Sequence, residues 1–306
     1  MANLFILGSG GFGTSLAVML SGAGHRVTLW GWNKKENDVV RAARENVALL
    51  KGVGIPEAVK IVDEIDGVEE ADAVLIATPT IGVRNAARML AGRLAPRAVV
   101  ACVSKGLEPK TLEPLYQVVA EELPGVPFVA LSGPSHAEEV ARGVPTTIVA
   151  ASASLAAAQL IQELTANTHV RIYTSDDVLG VELGGALKNV IAFAAGIVDG
   201  MGFGDNTKAA LMTRGLTEIS RLGTAMGARA ETLSGLAGVG DLIVTCCSLH
   251  SRNRRCGVYV GEGLTVPQAV EKVGMTVEGI TATLCANELA ERLGVEMPIT
   301  HQIYRL

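Results

Sequence analysis

Hydrophobic and polar positions follow two different patterns along this chain of 306 residues. In roughly the first 175 residues, short apolar runs rich in β-branched residues alternate with helix-length segments. Several runs (VLIA, VVACV, FVAL) are apolar at every position, which is typical of strands buried on both faces of a parallel sheet. The runs predict eight strands: Leu4–Leu7, Arg26–Trp30, Lys60–Val62, Ala73–Ala77, Ala98–Ser104, Phe128–Ser132, Thr146–Ala151 and Val170–Tyr173.

Helix-length segments separate these strands, and alternation of this kind predicts a doubly wound α/β domain over residues 1–177. Strand patterns stop after about Asp177. Helices joined by loops rich in Gly, Ser and Arg are predicted beyond that point, so residues 178–306 are expected to form an all-helical domain. The predicted helices are Thr14–Ala23, Val83–Leu94, Thr111–Glu122, Val178–Gly200, Asn206–Gly227, Val266–Gly274 and Thr281–Leu293.

The composition limits the classes of partner. Hydrophobic residues make up 49% of the chain and aromatic residues 4%, so the core must consist of Ala, Val, Leu and Ile. The net charge of −5 argues against a surface that binds nucleic acid or anionic membrane. An anion bound by this protein must therefore be held by a local cluster of donors, and a small-molecule substrate is expected.

The cysteines and the apolar segments indicate a cytoplasmic protein. The N-terminus lacks the basic start of a signal peptide, and the apolar stretch around Lys188 carries charged residues, so no membrane span is predicted. The cysteines show neither C-x-x-C nor metal-ligand spacing, so we expect reduced thiols and no metal site. They are Cys102, Cys246, Cys247, Cys256 and Cys285.

A glycine-rich loop follows the first predicted strand directly. It reads GSGGFG over residues 8–13 and leads into a helix-forming segment. Gly8 allows the tight turn, Gly10 allows close approach of a pyrophosphate, and Gly13 allows close helix–strand packing. A glycine-rich turn without ligand is the alternative. The position between strand and helix favours a dinucleotide site and hence a Rossmann-like domain.

The end of the second strand bears on the choice of cofactor. In NAD-binding domains, an acidic residue that accepts a hydrogen bond from the adenosine ribose is expected there. This chain has Trp32-Asn33-Lys34-Lys35 instead, with no carboxylate before Glu36. Two lysines favour a 2′-phosphate, so we predict a preference for NADP(H), with NAD(H) as a usable second cofactor.

Lys188 is charged within the apolar run VELGGALKNVIAFAAGIV. Burying an ammonium without a partner is costly, so such a lysine is paired, hydrated or used. In a partly dry cleft its pKa falls toward neutrality and it can exchange protons with a substrate. The alternative is a lysine at a helix end that reaches to water.

Five further blocks carry polar chemistry. Lys105 follows a buried strand, Asp241 lies in GVGDLIVT, and SRNRR over residues 251–255 concentrates cations and an amide. Each block has a structural alternative. Lys105 could lie on a surface loop, Asp241 could cap a helix, and the arginines could form a solvated face or subunit contact. The remaining blocks are SGPSHA over 132–137, in which His136 is taken as structural, and TVEG over 276–279.

Together these blocks contain the parts that a dehydrogenase acting on a phosphorylated carbonyl compound needs. Arginine and asparagine donors can hold a phosphate, a lysine can protonate the carbonyl oxygen, and an acid can orient that lysine. The chain resembles the bacterial NAD(P)-dependent glycerol-3-phosphate dehydrogenases over nearly its whole length. The resemblance rests on GSGGFGT, VSKGLE, LSGPSHAEEV, GVELGGALKN, LMTRGLTEISRLG, GVGDLIVTC, HSRNRR, VEG and EMPIT.

The resemblance implies reduction of dihydroxyacetone phosphate to sn-glycerol 3-phosphate for phospholipid synthesis in the cytoplasm, and it suggests a homodimer. It implies that Lys188 is the general acid for reduction and the general base for oxidation. It also implies two sets of contacts. The triose-phosphate site would comprise Lys105, Gly133, Ser135, Lys188, Asp241, Ser251, Arg252 and Asn253. The dinucleotide would touch Gly11, Phe12, Trp32, Asn33, Lys105, Ala137, Arg252, Thr276 and Glu278.

The chain departs from the family pattern in three places. Gly11-Phe12 stands where relatives often have Ser-Trp, and Thr276 stands where an apolar residue is usual. The sequence ends at Leu306, shortly after EMPIT, where we expect relatives to continue for one or two helices. Two other functions stay open at this stage: a β-hydroxyacid dehydrogenase relative acting on a carboxylate substrate, and a catalytically silent NADP-binding sensor.

Overall fold

The computed structural model describes all residues 1–306 and contains the eight predicted strands. They form a single sheet with the order β3-β2-β1-β4-β5-β6-β7-β8. Six neighbouring pairs have parallel registers, and the reversal of strand order at β1 is that of a Rossmann-like domain. The strands are β1 (Asn3–Leu7), β2 (Arg26–Trp30), β3 (Lys60–Val62), β4 (Ala73–Ile76), β5 (Val99–Cys102), β6 (Phe128–Ser132), β7 (Thr146–Ala151) and β8 (Val170–Ser175).

The chain divides into two compact units. The first comprises residues 1–104, 116–131 and 135–178 and contains the sheet. The second comprises residues 105–115, 132–134 and 179–306 and contains helices. Two short segments that follow strands β5 and β6 therefore belong to the helical unit. This assignment brings Lys105 and Gly133 into the same unit as Lys188 and Asp241.

Fourteen α-helices complete the fold. Those of the first unit are α1 (Gly11–Gly22), α2 (Lys34–Ala43), α3 (Val83–Leu90), α4 (Leu115–Glu122), α5 (Ala137–Ala141) and α6 (Leu155–Leu164). Those that follow are α7 (Val178–Gly200), α8 (Asp205–Ala225), α9 (Ala230–Leu233), α10 (Asp241–Cys247), α11 (Arg252–Gly261), α12 (Val266–Val273), α13 (Glu278–Leu293) and α14 (Pro298–Tyr304).

The absence of strands after β8 confirms the predicted helical character of the C-terminal half. Two predicted loops are wrong, however, because residues 241–247 and 252–261 form α10 and α11. These helices are short, and α11 begins at a Ser251 cap that accepts a hydrogen bond from the backbone of Arg254. The predicted helix over 111–122 begins only at Leu115, because Leu112 has a left-handed φ of 65°.

Helix α7 forms the centre of the helical unit. It is apolar and long enough to cross a membrane, but 89% of its most apolar window is buried within the protein. A second segment, Ala230–Cys247, is also long and apolar enough to cross a membrane by length and composition. It bends at Ser234–Gly235 and is only 39% buried in its apolar window. The burial of α7 is that of a core helix, as its sequence predicts.

Close packing between β1 and α1 depends on glycine. A Cβ atom on Gly13 would lie 1.9 Å from the carbonyl oxygen of Gly8 and 3.2 Å from the Cβ of Ala77. Backbone atoms cannot yield to such a contact, so the helix would have to move away from the sheet. A Cβ atom on Gly22, at the other end of α1, meets nothing within 4 Å.

We therefore expect Gly13→Ala to lower the free energy of unfolding by about 1–3 kcal/mol, the usual cost of overpacking. The matched variant Gly22→Ala should leave stability unchanged or raise it by about 0.5–1 kcal/mol, because alanine costs less backbone entropy in a helix. Urea unfolding followed by circular dichroism measures both. Equal stabilities of the two variants would contradict the packing argument.

Candidate active site

Lys188 lies in the middle of α7, and only 4% of its surface is exposed. Its Nζ forms an ion pair with Oδ1 of Asp241 and donates a hydrogen bond to Oγ1 of Thr245, 2.9 Å away. The alternative of a helix-end lysine that reaches to water is therefore wrong. The ammonium is buried and paired, as the cost of burying charge requires.

Asp241 is the first residue of α10 and is 1% exposed. Its Oδ1 faces Lys188, and its Oδ2 accepts a hydrogen bond of 2.8 Å from Nζ of Lys105. The residue at the N-cap position is Gly240, and no side chain caps this helix. The helix-cap alternative for Asp241 is therefore wrong, because its carboxylate is shared between two lysines.

Lys105 follows β5, and its side chain is 18% exposed, so it does not lie on an open surface loop. Besides Asp241, its Nζ donates to the carbonyl oxygen of Gly133 at 2.8 Å. A Cβ atom on Gly185 would lie 3.5 Å from Cγ of Lys105 and 2.5 Å from Oγ of Ser132. The missing side chain at Gly185 thus leaves room for the hydroxyl of Ser132 beside α7, whereas the lysine stem would be in ordinary contact with such a Cβ atom.

Burial lowers the pKa of Lys188 to about 7. The carboxylate of Asp241 acts to raise this pKa, and the positive charge of Lys105 acts to lower it further. For Asp241, burial acts to raise the pKa, but the two ammonium groups outweigh it and hold the pKa below its usual value. The cluster can therefore give up one proton from Lys188 near neutral pH and keep its carboxylate charged.

Sequence reasoning did not assign Asn189 or Thr245 to the site. Asn189 follows Lys188, and its Nδ2 donates to the carbonyl oxygen of Lys105 at 3.2 Å. Thr245 donates to the carbonyl oxygen of Asp241 at 2.6 Å and accepts from Lys188. Asn189 could have been found from the sequence, because it is a polar residue next to a buried charge. The four-residue spacing between Asp241 and Thr245 indicates Thr245 only once residues 241–247 are known to be helical.

The first turn of α11 carries the predicted phosphate donors. Ser251 caps the helix, and Arg252 is its exposed first residue. Asn253 is 8% exposed. Its Nδ2 donates to Oδ1 of Asn189 at 2.8 Å, and its Oδ1 accepts from the backbone of Gly279 at 2.9 Å. Asn253 therefore links Asn189 to the first turn of α13.

The remaining residues predicted near these donors lie in both units. Thr276 is exposed and Glu278 is the partly buried first residue of α13, one position before Gly279. Ser135 and His136 follow β6 in the sheet-containing unit and are partly buried. No group of three or more His, Cys, Asp or Glu residues is placed to hold a metal ion. All five cysteines are free thiols.

The glycine-rich loop is tightly packed at Gly8 and open at Gly10. Gly8 has a φ of 123°, which favours glycine, and a Cβ atom there would lie 2.6 Å from the carbonyl oxygen of Ala77. A Cβ atom on Gly10 would meet no protein atom within 4 Å. The loop backbone is thus open at Gly10, at the N-terminus of α1, where no acidic residue stands.

Other residues predicted to touch the dinucleotide lie around the same unit. A Cβ atom on Gly11 would lie 3.9 Å from the Cβ of Ala137, so the structure brings these two residues together. Phe12 is partly buried and packs on the core of the sheet. Trp32 is 80% exposed. Asn33 caps α2 by accepting from the backbone of Lys35 at 3.1 Å, so its amide is already in use.

Comparisons with known proteins agree over the whole chain. The family model described as NAD-dependent glycerol-3-phosphate dehydrogenase N-terminus matches residues 3–158, and the C-terminus model matches residues 177–306. A glycerol-3-phosphate dehydrogenase [NAD(P)+] of Desulfitobacterium hafniense is 49% identical over 100% of this chain and 87% of its own length. A relative of the same name from Clostridium perfringens is 47% identical over 100% and 93%.

Solved structures give the same answer. The glycerol-3-phosphate dehydrogenase of Coxiella burnetii is 38% identical, with a TM-score of 0.96 over 99% of this chain and 94% of that one. The enzyme of Saccharomyces cerevisiae is 26% identical, with a TM-score of 0.84 over 99% and 95%. The two family models together cover most of the chain. The chain therefore belongs to the NAD-dependent glycerol-3-phosphate dehydrogenase family.

Proposed function

We propose that this chain reduces dihydroxyacetone phosphate to sn-glycerol 3-phosphate with NAD(P)H and catalyses the reverse oxidation. The observation that carries the proposal is the buried cluster in which Lys188 and Lys105 share the carboxylate of Asp241. Such a cluster supplies a proton donor with a pKa near neutrality and a second cation for a developing negative charge.

In this mechanism, residues of the helical unit transfer the proton and stabilise the negative charge on the C2 oxygen. The nicotinamide, when bound, supplies or accepts the hydride at C2 of the substrate. Lys188 donates its proton to the C2 oxygen during reduction and accepts a proton from the C2 hydroxyl during oxidation. Asp241 holds the ammonium in position, and Lys105 stabilises negative charge on the C2 oxygen.

The first turn of α11 supplies the donors for the substrate phosphate. The guanidinium of Arg252 and the backbone N–H groups at the helix N-terminus favour an anion at this position. Asn253 can add one amide hydrogen, because its other contacts already fix the plane of the amide. Ser135 and Ser251 would add hydroxyl groups, and Gly133 would add backbone contacts.

The cofactor would be held by the glycine-rich loop from Gly8 to Gly13, with Ala137 beside it. Arg252, Thr276 and Glu278 would add contacts from the helical unit. A preference for NADP(H) is supported by Lys34 and Lys35, which are both exposed at the start of α2. Adenosine contacts by Trp32 and Asn33 would place a 2′-phosphate near these two lysines.

The product of reduction is the backbone of glycerophospholipids, so a role in phospholipid synthesis follows from the reaction. Five free cysteines support a reducing compartment such as the cytoplasm. A homodimer remains a prediction from the resemblance. A catalytically silent sensor is the weaker proposal, because such a protein would have no use for a costly buried cluster of three charges.

Replacing Lys188 by Met tests the proton donor. Methionine keeps the volume of the stem, and Lys105 keeps Asp241 paired, so the fold should survive. We expect turnover to fall by at least about 100-fold, a usual contribution of general acid–base catalysis, while the affinity for NADPH stays unchanged. Steady-state kinetics measure the turnover, and a fluorescence titration measures the affinity for NADPH. A variant that retains most of its turnover would remove Lys188 from this role.

The pH dependence follows from the pKa of about 7 for Lys188. Below this pH the lysine is protonated and can act as an acid, and above it the free amine can act as a base. We therefore expect kcat/KM for reduction to fall, and kcat/KM for oxidation to rise, as the pH increases through about 7.

A Lys105→Gln variant should move both midpoints to higher pH, because the charge of Lys105 lowers the pKa of Lys188. Its overall activity should be lower. Rate profiles across the neutral range in both directions provide the measurement. Midpoints that stay unchanged in Lys105→Gln would show that the two lysines are not electrostatically coupled.

The double variant Lys34→Ala/Lys35→Ala tests the choice of cofactor. We expect KM for NADPH to rise about tenfold, since two surface charge contacts are worth roughly 1 kcal/mol or a little more, while KM for NADH stays unchanged. Lys51→Ala, at another exposed lysine of the same unit, serves as the control. A parental enzyme with equal or lower KM for NADH would overturn the preference itself.

A further inference from the structure

Arg254 lies within the cationic cluster at residues 251–255, but its guanidinium is held by another helix. Its Nε and one terminal nitrogen lie 2.7 and 2.6 Å from Oδ2 of Asp199, near the C-terminus of α7. Lys208 of α8 lies 2.6 Å from the other carboxylate oxygen. These side chains are only 14–16% exposed. The charge of Arg254 is therefore already used within the protein.

The position of Asp199 is otherwise unfavourable. A carboxylate in the last turn of a helix faces the negative end of the helix dipole, so it needs cationic partners to be tolerated. Arg254 and Lys208 supply two cations for this one carboxylate. The acid at this position thus ties the end of α7 to both α8 and α11.

Helices α7 and α11 touch through their backbones. A Cβ atom on Gly196 would lie 2.0 Å from the carbonyl oxygen of Arg254, and a Cβ atom on Gly257 would lie 2.0 Å from that of Phe193. Contacts between smooth glycine surfaces fix the separation of two helices. Larger rotations of α11 are opposed, because they would turn side chains into this contact and because Phe193 of α7 and Cys256 of α11 lie in one core cluster. Residues 251–254 lie outside that cluster, so the orientation of their side chains depends on polar contacts.

Polar side chains set the orientation of the first turn of α11. Successive residues of an α-helix project about 100° apart, so Arg252 and Arg254 point to sides roughly 160° apart. With Arg254 held on Asp199, Arg252 projects away from that contact and is exposed. Asn253 lies between them and reaches Asn189.

We infer that the ion pair between Arg254 and Asp199 is a positioning contact that orients the first turn of α11 for binding of the substrate phosphate. The inference rests on the proposed function. Arg254 itself does not touch the substrate in this assignment. Its loss should weaken the binding of triose phosphate and leave proton transfer by Lys188 unchanged.

The variant Arg254→Gln tests this assignment. Lys208 remains on Asp199, so the change does not strand a buried carboxylate. We expect KM for dihydroxyacetone phosphate to rise about tenfold, which corresponds to about 1.4 kcal/mol of lost binding free energy. The turnover number kcat should stay unchanged. The KM for NADPH and the midpoint of the pH profile should stay unchanged as well. Arg254→Lys restores a cation beside Asp199 and should recover most of the lost affinity.

Arg292→Gln is the matched control, because it removes an exposed ion pair with Glu288 on α13. It should leave every kinetic constant unchanged. An unchanged KM in Arg254→Gln would overturn the positioning role. A loss of kcat and melting temperature that lysine does not rescue would overturn it as well, because that pattern indicates a merely structural contact.

Failure of the proposed function gives a different result. An unmodified protein that oxidises no NADPH with dihydroxyacetone phosphate would overturn the proposed function. Calorimetric titration of sn-glycerol 3-phosphate into the parent and Arg254→Gln then reads the positioning role without turnover. Weaker binding by the variant supports that role, and equal or absent binding in both proteins overturns it.

Discussion

The structure of the helical unit depends on one carboxylate that is shared between two buried or nearly buried ammonium groups. Removing a charge from water costs several kcal/mol per ion, so Asp241 and Lys188 could not be buried separately. With Lys105 added, the three groups carry one net positive charge. Burial makes loss of a proton from Lys188 easier by lowering its pKa, Asp241 opposes this effect, and the charge of Lys105 adds to it. The pairing that permits burial therefore also prepares the lysine for proton exchange.

Close backbone packing keeps the three charges in register. A Cβ atom on Gly184 would lie 2.7 Å from the carbonyl oxygen of Ala237, just before α10, so α7 and the segment that carries Asp241 are in direct contact. A Cβ atom on Gly185 would lie 2.5 Å from Oγ of Ser132, the neighbour of Gly133, whose carbonyl oxygen accepts from Lys105. A chain with 49% hydrophobic but only 4% aromatic residues builds its core from small side chains. Small side chains bring backbones together and leave polar groups little freedom to move.

The sequence predicts the sheet well because buried parallel strands are apolar at every position, as in β4 and β5. It predicts α7 for the same reason, since its length and burial leave a strong pattern. Helices α10 and α11 carry weaker patterns. They are short, and α11 depends on the Ser251 cap and on the contact between Arg254 and Asp199. The Ser251 cap is a local sequence signal. The contact between Arg254 and Asp199 is a tertiary contact between residues 55 positions apart, so the sequence does not predict it.

The same limit explains which site residues sequence reasoning found. Lys188, Lys105 and Asp241 are charged residues in apolar surroundings, and such residues need partners, so their pairing could be expected from cost alone. Arg252 and Arg254 are both arginines within the same segment, SRNRR, so the sequence around them does not tell them apart. Only the rotation of α11 separates them, because it turns Arg254 toward Asp199 and leaves Arg252 exposed. Composition can therefore indicate a phosphate site, but helical phase decides which arginine can serve it and which one holds the helix in place.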